Sequence, residues 1–175
     1  DKLIVPKNRL IELTKGSLTL GSLIVEPFSV SHDAADPIGI NVFAGNDKAT
    51  IVTDTGVISD DILRRIDDTT LLVLEANYDP HMLRFGPYQP FLKQRVASDE
   101  GHLSNEMAAQ ALLMMKRPDF MQVILAHRSE NNNNSVLVTQ TIGKMLVDGG
   151  VRIGPEMKLQ HGQPNEIVSI QSVKR

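Results

Sequence analysis

The chain has 175 residues, of which 41% are apolar and 22% charged, and this composition is typical of one globular domain. Its formal charge of −3 provides no general field to hold a polyanion, so binding of nucleic acid would depend on local basic groups or on a metal. The chain has no cysteine, which excludes disulfides and thiolate ligands and fits a cytoplasmic protein. No apolar run approaches the roughly 20 residues that cross a bilayer.

The first third of the chain is expected to form short strands joined by turns. Residues 2–30 contain a hairpin pattern around Gly21-Ser22, because apolar residues flank that pair on both sides. A second pair of strands, at 38–44 and 49–53, is expected around the turn Gly45-Asn46-Asp47.

Helices and strands are expected to alternate in the rest of the chain. The continuous apolar run at 71–74 is typical of a strand that is buried on both faces. Helices are predicted at 59–66 with Ser59 as its cap, at 105–115 and at 135–147, and strands at 71–74, 123–126, 157–159 and 167–170. Strands followed by alternating helices and strands predict an α/β class fold with a mixed β-sheet and helices on its outer face.

Three residues that can bind a metal each follow a predicted strand. They are His32, Asp54 and His127, and strand ends are where a rigid scaffold presents functional groups. Two imidazoles and a carboxylate suit Zn²⁺, and the two oxygens of an aspartate can bridge two ions. Gly56 would allow backbone to approach this site closely, and Thr53 or Thr55 could orient the carboxylate.

Each of these residues also has a simpler explanation. A single histidine at a strand end is more often a hydrogen-bonded surface residue than a ligand. Asp-Thr-Gly after a strand is usually a turn, since aspartate and glycine favour turns for backbone reasons. The residues taken one at a time leave both interpretations open.

Five local motifs follow one another along the chain, and they are Ser31-His32-Asp33-Ala34-Ala35-Asp36-Pro37-Ile38-Gly39, Thr53-Asp54-Thr55-Gly56, Leu74-Glu75-Ala76-Asn77, Gly101-His102-Leu103-Ser104-Asn105 and Leu125-Ala126-His127-Arg128-Ser129. Their order resembles the later motifs of metallo-β-lactamase-fold hydrolases. The WalJ/YycJ-like branch of that family has a similar Ser-His-Asp-Ala-Ala-Asp-Pro stretch and a similar Gly-His-Leu-Ser-Asn helix start.

The resemblance implies a role for each candidate ligand. His32 is similar to the metal histidine of the family's third motif, Asp54 to the carboxylate that bridges two ions, and His127 to the last metal histidine. The implied cofactors are two divalent metal ions, Zn or Mn.

The resemblance also implies a catalytic histidine. His102 lies where phosphodiesterase branches such as tRNase Z carry a histidine near the scissile phosphate, paired with a carboxylate. Glu75 is the matching acid here, and Asp99 is a second possibility. A carboxylate fixes the tautomer of an imidazole, which can then protonate a departing alkoxide. The simpler alternative for His102 is a helix-start residue bonded to its own first turn.

The family's His-x-His-x-Asp-His signature is absent from the sequence. His81, expected in a turn, and His161, expected in a Gly/Pro-rich loop, do not replace it. We therefore expect residues 1–175 to form a single partial domain, the C-terminal portion of the αββα sandwich. The start at Asp1 without a methionine and the early apolar stretch also suggest a cut through a larger protein.

The implied function is a dinuclear metal-dependent phosphodiesterase, an exonuclease acting on DNA, in which a metal-bridging hydroxide attacks the substrate. Arg84, Lys93, Arg95 and Arg128 could supply phosphate contacts. One alternative is a hydrolase of a small lactone, thioester or cyclic phosphodiester. Another is a non-catalytic fragment that completes the fold with another chain. In each case the missing N-terminal half or another chain should cover exposed sheet, and the isolated chain should be inactive.

Overall fold

A computed structural model of the protein describes residues 16–163 and 166–170, together with Pro6, Ile11 and Leu13. Within this part of the chain, seven strands form one sheet in sequential order. The strands are β1 (Leu18–Leu20), β2 (Leu23–Ser29), β3 (Ile38–Ala44), β4 (Asp47–Val52), β5 (Leu71–Glu75), β6 (Met121–Ala126) and β7 (Met157–His161). Strands β1 to β4 are antiparallel, and β4 to β7 are parallel.

Both predicted hairpins are confirmed. Gly21 and Gly45 each adopt a φ of +61° in the tight turns that join β1 to β2 and β3 to β4. This left-handed conformation costs glycine little, because it has no Cβ, and it explains why the chain reverses at these points. The predicted strand segments before residue 16 lie largely outside the described residues.

The three predicted helices are also confirmed, and each begins at a capping side chain. They are α1 (Asp60–Ile66), α4 (Asn105–Met114) and α5 (Ser135–Asp148). The side chains of Ser59, Ser104 and Asn134 accept hydrogen bonds from backbone N–H groups in the first turns of these helices. Such a cap satisfies a donor that the helix itself leaves unpaired.

Two helices between β5 and α4 were not predicted. They are α2 (Pro80–Phe85) and α3 (Pro90–Val96), and both have proline at the first turn. The expectation that His81 lies in a turn was therefore wrong: it lies in α2. The predicted strand at 167–170 is also wrong, since these residues belong to no strand and the side chain of Ile167 is 96% exposed. An apolar run without a neighbouring strand to pair with cannot form a ladder.

The helices cover one face of the sheet. Val52, Leu72 and Leu74 point to this face, where they are fully buried in a cluster with residues of α1, α4 and α5. Alternate residues point to the other face, and Ile51 there is 42% exposed although its neighbour Val52 is not exposed at all. The mixed sheet with helices on an outer face confirms the predicted fold class. In the described residues, no helix has the length and apolar character to cross a membrane.

Candidate metal and catalytic site

Three of the predicted residues meet at one end of the sheet. His32 lies beyond β2, Asp54 follows β4, and His127 directly follows β6. The Nε2 atoms of His32 and His127 each lie 3.6 Å from Oδ1 of Asp54. The Asp54 carboxylate is therefore near both histidines, and the structure places in one cluster the side chains that the sequence predicted as metal ligands.

The backbone at two of these positions is unusual. Asp54 has a φ of +55° and His127 a φ of +53°, a left-handed conformation that residues other than glycine rarely adopt. Such a conformation costs roughly 1–3 kcal/mol and is frequent at functional sites. Asp68, in a loop elsewhere, has the same conformation, so the dihedral angle alone does not mark a site. At Asp54 and His127 it turns the chain immediately after parallel strands.

Glu75 lies behind these residues and is completely buried. Its Oε1 atom is 2.7 Å from Nδ1 of His102 and 2.9 Å from Nδ1 of His127, and its Oε2 atom accepts a hydrogen bond from the Thr55 backbone N–H at 3.0 Å. The carboxylate therefore connects the loops that follow β4 and β6 with the loop that precedes α4. Sequence reasoning identified the contact with His102 but missed the contact with His127.

Every histidine of the site is held through its Nδ1 atom. His32 Nδ1 lies 2.9 Å from the carbonyl oxygen of Gly101, and Glu75 accepts from the other two rings. Neutral imidazoles that donate from Nδ1 present a free Nε2 lone pair, which is the form that binds a metal. The ring of His102 lies 5.0 Å from that of His32 and 5.2 Å from that of His127, measured between centroids.

Two overlapping sets of donor atoms each fit within 4.8 Å: His32 with Asp54 and His102, and Glu75 with His102 and His127. Neither set contains His32, Asp54 and His127 together, although Asp54 lies 3.6 Å from both of these histidines. In the second, the contacts between donors are hydrogen bonds that Glu75 accepts, so its members already satisfy one another. Nitrogen and carboxylate donors without sulfur suit zinc and other first-row divalent ions.

Hydrogen bonding changes the protonation equilibria in the buried part of the site. Burial alone raises the pKa of Glu75, but the hydrogen bonds from His102, His127 and Thr55 outweigh it and leave this pKa below its ordinary value. The same hydrogen bond to Glu75 raises the pKa of His127, while burial opposes the change. Glu75 is therefore held as an anion, and its negative charge favours a proton on His127 in the absence of a metal.

Glycines allow the loops of the site to pack closely. A Cβ atom at Gly56 would lie 2.3 Å from the carbonyl oxygen of Ser98, and one at Gly101 would lie 2.2 Å from that of Arg95. The close approach expected at Gly56 is confirmed. Thr55 differs from expectation, because it is hydrogen-bonded to Ser31, Val57 and Glu75 rather than to Asp54.

The remaining candidates lie outside this cluster. Asp99, the second possible partner of His102, is exposed, and Glu75 occupies the partner position. His81 is exposed on α2, where its ring contacts Phe85. The loop expected around His161 was a wrong prediction: this residue ends β7 and is half-buried, and its Nε2 lies 2.9 Å from Oγ1 of Thr139.

Comparison with known proteins identifies the family. The family model described as "Beta-lactamase superfamily domain" matches residues 3–127. The chain is 36% identical over 155 residues to exodeoxyribonuclease YycJ of Bacillus anthracis, with 89% of this chain and 59% of that protein covered. It is 33% identical over 147 residues to exodeoxyribonuclease WalJ of Streptococcus pneumoniae, with 84% and 55% covered. The chain thus spans little more than half the length of the curated relatives it matches.

Solved structures support the same fold. The metallo-β-lactamase fold protein YhfI from Bacillus subtilis superimposes with a TM-score of 0.56 at 14% identity, over 83% of this chain and 50% of that chain. Zinc-bound PqqB from Methylobacterium extorquens gives 0.54 at 17% identity, over 84% and 48%. The chain therefore belongs to the β-lactamase superfamily, has the metallo-β-lactamase fold and is homologous to the YycJ/WalJ exodeoxyribonucleases.

Proposed function

We propose that this chain forms part of a dinuclear metal-dependent phosphodiesterase that degrades DNA as an exonuclease. The observation that carries the proposal is the pairing of His102 with buried Glu75, 2.7 Å apart, beside the cluster of His32, Asp54 and His127. A histidine held by a carboxylate next to metal donors suits the transfer of a proton to a leaving alkoxide. The names of the YycJ and WalJ relatives support DNA as the substrate.

The proposed metal ligands are His32 and His127 through Nε2 and Asp54 through its carboxylate. Both Nε2 atoms lie 3.6 Å from Oδ1 of Asp54, and Gly101 and Glu75 fix the orientation of the two rings. Two bound divalent ions, Zn or Mn, would lower the pKa of a water molecule and neutralise charge on the phosphate. Three protein ligands cannot complete the coordination of two ions, so further ligands must come from outside these residues.

Glu75 and His102 are proposed to act together on the leaving group. Glu75 accepts the Nδ1 proton of His102 and so fixes the ring while leaving Nε2 available to the substrate. In its imidazolium form, which carries a proton on each ring nitrogen, His102 donates the Nε2 proton to the departing oxygen of the phosphodiester as the P–O bond breaks and is left as the neutral imidazole. Glu75 also orients His127, so that one carboxylate positions both a proposed metal ligand and the proposed general acid.

The uncovered face of the sheet supports a partial domain. Its exposed apolar residues share the face opposite the helices and include Leu20, Leu23, Ile38 and Ile51. Apolar surface of this kind is typical of an interface. In a protein of the relatives' length, we propose that the missing N-terminal half covers this face and completes the metal site, and that the 175-residue chain alone is inactive.

The proposal is tested by His102→Ala in the full-length protein. The kcat for DNA should fall about 10²–10⁴-fold, the usual contribution of general acid catalysis, while the metal content stays unchanged. The defect should shrink with a nitrophenyl phosphodiester, whose leaving group needs little protonation. His161→Ala, a histidine outside the cluster, is the matched control and should leave kcat unchanged.

Other outcomes would favour other functions. An equal defect on both substrates, or loss of metal from His102→Ala, would show that His102 is a structural residue or a ligand. Hydrolysis of lactones, thioesters or small cyclic phosphodiesters with no turnover of DNA would identify a small-molecule hydrolase. A full-length protein that binds no metal would be a non-catalytic module. Full activity of the isolated chain would refute the partial site.

A further inference from the structure

The segment between β5 and α4 forms a helical arm, residues 80–97, whose composition differs from that of the rest of the chain. It carries three basic residues, Arg84, Lys93 and Arg95, and no acidic residue, in a chain of net charge −3. It also carries Phe85, Tyr88 and Phe91, whereas the whole chain has only two tyrosines and five phenylalanines. Asp79, just before the arm, is used as the N-cap of α2.

Two of these aromatic side chains are largely exposed to solvent. Phe85 is 67% exposed and Phe91 is 71% exposed, although each is large and apolar. The small core of the arm is formed by other residues, namely Tyr78, Leu83 and Val96 with Tyr88 and Leu92 against them. Neither exposed ring belongs to this small core, although Phe85 contacts His81 and Arg84, and the solvent contact of the rings has a free-energy cost that a ligand would remove.

Basic groups lie beside the exposed rings. The guanidinium carbon of Arg84 lies 5.3 Å from the centroid of the Phe85 ring, and Nζ of Lys93 donates a 2.8 Å hydrogen bond to the carbonyl oxygen of Arg84. Positive charge next to accessible π faces is the combination by which proteins bind single-stranded nucleic acid, since cations meet phosphates and rings stack on bases. A second positively charged arm would be repelled, which argues against self-association through this surface.

The arm is joined directly to the candidate site. The backbone N–H of His102 donates to the carbonyl oxygen of Val96, the last residue of α3, at 2.9 Å. Arg95 forms a two-point ion pair with Asp33, which follows His32, with a distance of 2.8 Å from Nη2 to Oδ1. Phe91 is four residues before Arg95 and so lies on the same face of α3. The exposed ring is thus one helical turn from the edge of the site.

We propose that the arm of residues 80–97 binds single-stranded DNA, with Phe85 and Phe91 stacking on unpaired bases of the strand that enters the site. This deepens the proposed nuclease function and rests on it for the identity of the ligand. Stacking requires unpaired bases, so the arm selects a single strand or a frayed end. Arg84 and Lys93 contact the phosphates of that strand, whereas Arg95 is held by Asp33.

The test is binding of a labelled oligothymidylate of about 16 nucleotides to the full-length protein, measured by fluorescence anisotropy in chelator so that no cleavage occurs. Replacing both phenylalanines by alanine, F85A/F91A, should weaken binding at least about 10-fold, because one stacked base contributes about 1–3 kcal/mol. Met114→Ala, which removes a side chain that is also 67% exposed, is the matched control and should have no effect.

Two further comparisons separate stacking from charge. F85Y/F91Y should retain binding and F85L/F91L should lose it, since only the former keeps a π face. R84A/K93A should reduce the slope of log K against log salt by about 0.7 for each phosphate that is no longer neutralised, whereas F85A/F91A should not change the slope. Lys144→Ala on α5 is the control for charge.

The proposal is overturned if F85A/F91A binds the oligonucleotide as tightly as Met114→Ala, or if F85L/F91L retains full affinity. It is also overturned if light scattering shows that the phenylalanines hold a dimer. Hydrolysis of a nitrophenyl phosphodiester separates the two proposals. Hydrolysis without oligonucleotide binding would contradict the arm alone, and binding that depends on the phenylalanines without hydrolysis would contradict the nuclease alone.

Discussion

The two faces of the sheet have nearly the same apolar character but different surroundings. On one face, Val52 and Leu74 are neighbours in register and both are fully buried under helices. On the other face, Ile51 is 42% exposed and Leu23 is 38% exposed. A strand that is apolar on both sides is expected to be covered on both sides. Among the described residues, helices therefore cover one face of the sheet, and the other face is left partly exposed.

The candidate site also contains groups that are satisfied within this chain and groups that remain accessible. Both oxygens of Glu75 are occupied by donors from this chain, and the carboxylate is fully buried. Oδ1 of Asp54 lies 3.6 Å from Nε2 of both His32 and His127, and the side chains of Asp54 and His127 are 43% and 41% exposed. Groups that are satisfied within the chain should determine its own stability. The proposed metal ligands, which remain accessible, should instead affect metal binding and catalysis in the full-length protein.

Removing a buried side chain should have the largest effect on the stability of this chain. Leu74→Ala deletes a fully buried side chain and should lower the free energy of unfolding by about 2–5 kcal/mol. Ile51→Ala, on the open face one strand away, should cost less than about 1 kcal/mol because part of the side chain is already solvated. Urea denaturation of the two variants measures both values. Equal losses would show that the two faces are equally covered.

A substitution on the exposed face should have a larger effect in the full-length protein, where we propose that this face is covered. Ile51→Lys should change the stability of the isolated chain by at most about 0.5 kcal/mol, as expected for a surface position. In the full-length protein it should lower stability by about 2 kcal/mol or more, because a charge would then be buried. A substitution that is neutral in both proteins would mean that the open face remains exposed to solvent.

Removing the buried charge of Glu75 should alter the way in which the stability of the metal-free chain depends on pH. The depressed pKa of Glu75 stabilises the fold above its ordinary pKa, and this contribution is lost as the pH falls through the folded value. The raised pKa of His127 contributes fully below its ordinary value and is lost as the pH rises through the folded one. The free energy of unfolding should therefore be highest between the ordinary pKa of a glutamate and the ordinary pKa of a histidine, because both contributions are fully present there.

Glu75→Gln should flatten this profile and cost about 1–3 kcal/mol, since an amide cannot accept all three hydrogen bonds. Denaturant midpoints between acid and neutral pH provide the measurement. Glu106→Gln, at a carboxylate in the first turn of α4 outside the cluster, is the control. An unchanged profile in Glu75→Gln would contradict the role of Glu75 as a charged centre of the site.

The smallest effect is expected at the exposed ion pair of the arm. Arg95→Ala removes the contact with Asp33, where both side chains are substantially solvated, and should cost less than about 1 kcal/mol. Thermal denaturation at low and high salt measures this contribution, which salt should reduce. A loss comparable to that of Leu74→Ala would show that the pair is a principal support of the arm.

The sequence predicted those elements whose signals are local. Glycine turns and flanking apolar residues indicated the hairpins, the Ser59 cap indicated α1, and apolar residues at helical spacing indicated α4. Helices α2 and α3 were missed although α1 is as short as α3, because Ser59 provides a capping signal for α1 whereas Gln89 before α3 makes no side-chain cap. A signal for α2 was present, since Asp79 followed by Pro80 is a favourable cap and first helical residue, but it was interpreted as a turn.

The residues of the site could be predicted from the sequence, but the contacts between them could not. Motif order identified His32, Asp54, Glu75, His102 and His127, and the structure brings all five together. The hydrogen bond between Glu75 and His127 depends on the left-handed backbone at His127 and on the pairing of β5 with β6. Neither can be deduced from spacing. The basic and aromatic character of the arm was visible in the sequence, but the exposure of its rings required the structure.

The metal content of the full-length protein tests the central claim most directly. Elemental analysis of the purified wild type should give two divalent ions per chain, and Asp54→Asn should hold at most one, because the amide keeps the shape of the side chain but loses the bridging charge. Asp99→Asn, an exposed acid near the site, should keep both ions. Two ions retained in Asp54→Asn, or none in the wild type, would contradict the assignment of Asp54, His32 and His127 as a metal site.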